Sequence, residues 1–511
     1  MGVRQVSRPQ APSRPRVTFW VRLAYGVGQL AEGLSNGALN SFLIFYYSQV
    51  LGMSAALTGT AVGTSLFVDA IADPLAGSLS DHWRSRFGRR HPFMVAAMLP
   101  LAGSFLMLFS PPVHTQWMLF AWLVVWVNIA RITLTLFFVP HLALGAELSD
   151  EYGERATLVS FRMFFNLLGN FAATVIGFQF FFAPSHHFPV GQLNPHAYTP
   201  FAATLGTLMV LSVAWAVWGT RHFIPFLPQA MSGSSIKPIA VLRRTARDVR
   251  VALRQRSFAS LFSGVLVVYL MIGTDVALSV YMVTYFWDLP RYQIVKLFMA
   301  YPVGVAIGLL FAPTFQHHFG RRVALLFGTA WWAGFQVLPV ILRLIGWFPE
   351  NGSAYLLPVL ITTAIVQGIG AVQANVGFGA ALADVADENE VSSGRRQEGI
   401  FFSASSFSFK LASGAGSLLA GVALATIHWP VGPQIQSAAN VASHKIFDLG
   451  VTYGPVVVGF SFLTMWFYSK YELTREHHAQ ILEELRRRRK ATTPGEGAPC
   501  ELPAALPKPY L

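Results

Sequence analysis

Val68-Asp69-Ala70-Ile71-Ala72-Asp73-Pro74 sets two carboxylates four residues apart in a stretch, about 57–79, that is otherwise almost wholly apolar or small. Four residues is close to one helical turn, so both acids stand on one helix face, about 6 Å apart along the axis. A carboxylate in the hydrocarbon of a bilayer is costly and marks an ion or proton route. Two on one face form a seat for a cation, or a pair that shares a proton. Pro74 cannot donate a backbone hydrogen bond, which leaves a nearby carbonyl available. The stretch predicts a membrane-spanning helix with a charged task.

The rest of the chain agrees. Of 511 residues, 53% are hydrophobic and 12% charged, against about 25% charged in a soluble domain. Apolar stretches predict twelve spans, at about 22–47, 57–80, 93–110, 118–143, 158–182, 201–225, 258–287, 294–316, 323–345, 354–383, 400–427 and 451–470. Helices satisfy their own backbone groups in lipid, so the fold class is an all-α membrane bundle. The polar stretch to Arg16 and the long first span, with no small-residue cleavage site, predict that no leader is cleaved. The only cysteine, Cys500, lies in the tail, which excludes an internal disulfide or a cysteine metal site.

The net charge of +13 does not point to nucleic acid, because the basic residues collect in alternate loops. One set holds Arg84, Arg86, Arg89 and Arg90, then Arg243, Arg247, Arg250 and Arg254, then Arg321 and Arg322, then Arg395 and Arg396. The opposite set is nearly free of Lys and Arg. Both termini and the basic loops are therefore expected in the cytoplasm, in a multi-pass protein of the plasma membrane, a bacterial inner membrane. The basic stretch Ile239 to Leu253 reads either as an amphipathic helix on the inner leaflet or as a solvated linker.

The chain also repeats itself. Arg86-Phe87-Gly88-Arg89-Arg90 follows span two, and His318-Phe319-Gly320-Arg321-Arg322 follows span eight. Acidic stretches follow spans four and ten. The expected organisation is a tail, 1–21; a six-helix half, 22–225; a linker, 226–257; a second half, 258–470; and a tail, 471–511. That tail is expected to begin as a polar helix, to be disordered beyond Thr492, and to carry no chemistry. Two such repeats place a substrate site between them near the midplane.

Further intramembrane polar residues compete for roles. Lys410 is the evident counter-charge for Asp69, Asp73 or another buried acid, as a buried ammonium needs an acid; structural pairing is the bland reading. Glu32, Asn36, Asn128, Arg131, Phe138, Asp275, Gln367 and Gln373 are candidates for the substrate site. Against this, amides and aromatics serve helix packing, and Glu32 with Arg131 could form a mutual ion pair. Arg86, Arg89, Arg90, Glu147, Arg155, Asp384, Arg395 and Arg396 are candidates for a charged gate that forms bridges in one access state and breaks them in the other. His186, His187 and His196 lack metal spacing and read as surface.

Three blocks carry a resemblance. Asp69 through Asp81 running on to Arg84–Phe93, Val139-Pro140-His141 through Leu148 closing at Arg155, and Ala383-Asp384-Val385 through Gly394–Ile400 with Lys410 closely resemble the glycoside–pentoside–hexuronide:cation symporters of the major facilitator superfamily. The match touches both halves. It implies that Asp69 and Asp73 are the cation-site carboxylates, adds Thr135 as a hydroxyl joining them from span four, and links Lys410 to coupling. In the familiar member, melibiose permease, an amide precedes the second aspartate; Ala72 stands here and removes an oxygen ligand. A proton needs one base where sodium needs several oxygens, so the coupling ion is expected to be H+, with Na+ at Asp69 and Asp73 the alternative. Gly33, Phe138 and Leu142 replace sugar-site residues of that member, which argues against a galactoside.

The expectation is a non-enzymatic, proton-coupled symporter of a sugar, glycoside or hexuronide, working as a monomer by alternating access. A carrier of lysophospholipid-like molecules and a non-transporting sensor are the other readings. An enzyme is disfavoured, since no nucleophile–base motif or metal cluster appears.

Overall fold

The computed structural model describes residues 15–149, 151–227, 243, 247, 250, 253–393, 412, 414–432, 435, 437–471, 473 and 475–492. Every element among them is helical. The first group comprises α1 (Phe19–Gly28), α2 (Leu30–Phe45), α3 (Ala55–His82), α4 (His91–Leu108), α5 (Gln116–Leu148), α6 (Tyr152–Ile176) and α7 (Tyr198–Thr220). The second comprises α8 (Arg256–Tyr281), α9 (Arg291–Leu344), α10 (Leu356–Ser393), α11 (Gly414–Thr426) and α12 (Ser443–Ser469), and α13 (Arg475–Thr492) follows. Eight described helices are long and apolar enough to cross a membrane.

Helices stand on all the expected stretches, although 400–411 lie outside the described residues. Spans one, five and seven each end in a π-helical turn, at Tyr46–Val50, Gly177–Phe181 and Met282–Phe286. Spans eight and nine form the single element α9, interrupted at Gly320, where φ is 79°. Gly88, in the matching motif of the first group, has φ 77°. A side chain disfavours this left-handed backbone, so glycine permits the turn that sends the chain back.

Small residues let helices pack closely, which in lipid takes the place of a hydrophobic drive. A Cβ on Gly33 would lie 2.2 Å from the Asn166 carbonyl oxygen, closing α2 onto α6. A Cβ on Gly304 would lie 2.0 Å from that of Ile365, closing the first part of α9 onto α10. Most of the basic linker lies outside the described residues, and with it the helix weighed for Ile239 to Leu253.

The tail is helical, as expected, and its helix packs on the bundle. Tyr471, Leu473, Ile481 and Leu485 are buried in one apolar cluster with Phe258, Leu261, Leu382, Val385 and Ala386.

Candidate functional site

Helices α3 and α5 both run from the far end of the bundle toward the basic end, side by side. Their polar residues meet as three rungs. Asn128 Nδ2 donates to Thr64 Oγ1 at 3.2 Å. Arg131 Nη1 lies 3.7 Å from Asp69 Oδ2. Thr135 Oγ1 donates to Asp73 Oδ1 at 2.9 Å. The step from Asp69 to Asp73 equals that from Arg131 to Thr135, so two parallel helices keep register over one turn. Arg131 also donates to Asn36 Oδ1 of α2 at 3.3 Å. Asp69, Asp73, Thr135, Arg131, Asn36 and Asn128 are thus brought into one cluster.

Arg131 pairs with Asp69, not with Glu32 as one reading of the sequence had it. Glu32 accepts instead from Asn166 Nδ2 of α6 at 2.9 Å and from the Gln29 amide. The choice depends on helix rotation: Arg131 faces α3, while Glu32 faces the α2–α6 contact where Gly33 brings the backbones together. Asn166 was not among the sequence candidates, and its place in an apolar span was the available signal. Two buried atoms of the cluster, Arg131 Nε and Asn128 Oδ1, have no hydrogen-bond partner.

A second polar cluster occupies the second group. Gln336 Nε2 donates to Asp275 Oδ1 at 2.6 Å, and the Tyr453 hydroxyl donates to the same oxygen. Gln367 in turn donates to Gln336. Four spans contribute to this network, and Tyr453 was not anticipated. Gln373 is separate, donating to the Gly308 carbonyl at 3.4 Å, so it serves the α9–α10 contact. Phe138 packs against the apolar core. His141 is fully buried between Tyr25 and Phe137, stacked at 4.5 and 5.0 Å, and does not face the aspartates. Lys410 lies outside the described residues.

At the far end the two groups touch. Tyr285 donates to Gln49 Oε1 at 2.7 Å, Gln49 Nε2 donates to the Pro430 carbonyl at 2.9 Å, and Gln192 Nε2 donates to Thr284 Oγ1 at 2.9 Å. Phe45 packs on Tyr281 at 5.1 Å. This seal is buried and aromatic.

At the basic end the described ion pairs each join residues of one group, not of two. Arg89 and Arg90 reach Glu147 Oε1 at 2.6 and 2.7 Å, and Arg90 also reaches Asp81 at 2.6 Å. Arg22 pairs with Glu154. Arg155 donates to the Ser149 carbonyl at 2.6 Å. Arg86 is exposed over the Phe87 ring. Asp384 pairs with Arg321. Burial pulls the Arg321 guanidinium below its ordinary pKa, with Tyr471 and Asp387 opposing; burial raises the Tyr471 hydroxyl. Arg395 and Arg396 lie outside the described residues.

The family described as MFS/sugar transport protein matches residues 24–475. An isoprimeverose transporter of Lactiplantibacillus pentosus is 23% identical, over 88% of this chain and 88% of its own length. The sodium-dependent lysophosphatidylcholine symporter 1 of Gallus gallus is also 23% identical, over 93% of this chain and 91% of its own length. The inward-open xylose transporter of E. coli superposes with a TM-score of 0.60 at 13% identity, over 91% of this chain and 99% of its own length, a likeness of fold.

Proposed function

This chain belongs to the MFS/sugar transport protein family, a family of membrane transporters and not of enzymes, and we propose that it is a proton-coupled symporter of a sugar, glycoside or hexuronide. Its twelve helices form two six-helix halves, 22–225 and 258–470, that rock about a central site, and one chain is the working unit. The basic end faces the cytoplasm, with both termini, in a bacterial inner membrane; the charge rule for loops supports this. The far end is then the outer side.

The observation that carries the proposal is the register of Asp69 with Arg131 and of Asp73 with Thr135. Arg131 already supplies positive charge beside Asp69, and a sodium ion there would be repelled by it. Ala72 adds no oxygen. The side-chain oxygens at the seat are those of Asp69, Asp73 and Thr135, with the Asn128 amide farther along α5; a proton needs only one of the carboxylates. Coupling follows from electrostatics. A charged Asp73 is costly to enclose when the halves close, and a proton removes that cost. Substrate binding favours closure, so proton and substrate move together. Arg131 Nε and Asn128 Oδ1, buried and without partners, favour a ligand with hydroxyls or a carboxylate. The Asp275–Gln336–Gln367–Tyr453 network supplies the opposing wall, and Lys410 is assigned to coupling.

A lysophospholipid-like substrate is the second reading, kept by the similarity to the chicken symporter. Uptake into proteoliposomes tests both readings and the ion. An imposed inward pH gradient should concentrate a sugar or glycoside, with little response to a sodium gradient. Uptake that needs sodium and ignores the pH gradient would refute the ion assignment, and uptake of lysolipid alone would refute the substrate class.

A further inference from the structure

The twin turns at the basic end are not neutralised alike. In the first half Arg89 and Arg90, after Gly88, both meet Glu147 Oε1, and Arg90 also reaches Asp81. In the second, only Arg321 reaches the matching acid, at Asp384 Oδ2, while Arg322 turns to the Ser469 carbonyl. Among the described residues Asp387, one turn on along α10, pairs with no arginine or lysine, and Glu388 is held by the uncharged Gln255 Nε2 at 2.7 Å. Two acids meet two cations in the first half, whereas three stand beside a single guanidinium in the second.

That surplus meets one imidazole. His478 of α13 brings Nε2 to 3.2 Å from Asp384 Oδ1 and 3.2 Å from Asp387 Oδ2, and the three ligand atoms lie within 4.8 Å of one another. Packing fixes the placement. His478, Ile481, Leu485 and Arg488 form one stripe of α13; Ile481 and Leu485 are buried with Val385 and Ala386 of α10, and Arg488 Nη1 donates to the Val391 carbonyl at 2.7 Å. An ion about 2.1 Å from an imidazole nitrogen and from a carboxylate oxygen holds them at this separation when its bonds open to about 100°, between the octahedral and tetrahedral angles. Tyr471 adds an independent sign. It is fully buried, its hydroxyl has no hydrogen-bond partner, and it lies in the fields of Arg321 and Glu388. A buried hydroxyl left without a partner is costly, and a water on a bound ion would satisfy it.

We propose that Asp384, Asp387 and His478 bind a divalent first-row transition ion, Zn2+ or Mn2+, which fastens α13 to the end of α10. One imidazole with two carboxylates suits such ions, whereas Mg2+ and Ca2+ favour oxygen alone. Arg321 takes Asp384 Oδ2 and leaves Oδ1 to the ion, orienting the carboxylate as outer-shell partners do. Three protein ligands leave a further position for water. The Tyr471 hydroxyl, which burial keeps protonated, donates to that water. The two charges of the ion match the two that the acids hold in excess; a charged imidazole would supply only one. Since the ligands come from two helices, an ion that binds them together stabilises the docked tail by mass action. The inference does not depend on the transport reading.

The test needs no substrate. Full-length, untagged protein carrying Cys500→Ser, which removes the one thiol, is stripped with chelator in lipid nanodiscs. It is then titrated with Zn2+, Mn2+ and Mg2+ by calorimetry, and hydrogen exchange is followed over 475–492. Zn2+ and Mn2+ should fill one tight site per chain and slow exchange across the tail helix; Mg2+ should do neither. His478→Gln and Asp387→Asn should each weaken the site more than about tenfold and abolish the slowing. His477→Gln, at the exposed neighbour, should change neither. Asp387→Asn keeps the Arg321–Asp384 pair and the apolar docking, so its loss of binding is not a loss of fold. The absence of a tight site overturns the proposal. So does binding that survives both substitutions, which would be adventitious binding at surface histidines only. Exchange over 475–492 that is equally slow in chelator also overturns it, since the imidazole alone would then bridge the acids.

Discussion

Asp73→Asn abolishes concentrative uptake while leaving exchange of substrate across the membrane. The substitution keeps an acceptor for the Thr135 hydroxyl, which stands 2.9 Å from Asp73 Oδ1, so the helix contact survives. What is lost is the charge that a proton must neutralise. The site behaves as though permanently protonated, and the halves close with or without a proton. Accumulation should fall to equality of inside and outside concentrations, a loss of the whole coupled gradient. Proteoliposomes loaded with cold substrate would still exchange labelled substrate. Concentration by the variant as strong as by the parent would show that Asp73 is structural.

The next largest effect is on stability. Asp69→Asn removes the acid paired with Arg131, whose side chain is largely buried. A buried charge stripped of its partner costs about 3–5 kcal/mol. The variant should therefore lose both coupling and thermal stability. Adding Arg131→Gln should restore most of the stability, because both charges are then gone, without restoring coupling. A double-mutant cycle read by thermal unfolding in lipid nanodiscs measures this. If the two losses of stability simply add, the two side chains do not interact as described.

Much of this architecture was legible because the bilayer imposes length and apolarity on every span, and because charge sorts the loops. The twin motifs around Gly88 and Gly320 were legible as sequence, and their shared positive φ explains the glycine in each. Asp69 and Asp73 stood out because acids are rare in apolar stretches; Thr135 came through resemblance. Partner choice was harder to read. Whether Arg131 turns to Asp69 or Glu32 depends on helix rotation and tilt, and these follow from contacts such as Gly33 on Asn166 that no single stretch encodes. Tyr453 resembles any tyrosine in an apolar span until three neighbouring helices bring Asp275, Gln336 and Gln367 to it. The docking of the tail was not legible because its charge hid the i, i+4 pair Ile481 and Leu485, whose burial holds the helix in place.

Gln49, Thr284 and Tyr285, which tie the far end shut, all sit within π-helical turns. Such a turn is an α-helix carrying one residue too many. Deleting Ser48 would return Tyr46–Val50 to regular winding and move Gln49 out of its register with Tyr285. The aromatic seal would then part, and the far end would open whatever the state of the basic end. A carrier open on both sides is a pore, and ions leaking through it would discharge the membrane. The extra residue at each of these helix ends thus separates a device that spends an ion gradient on uptake from a hole that would drain the cell of it.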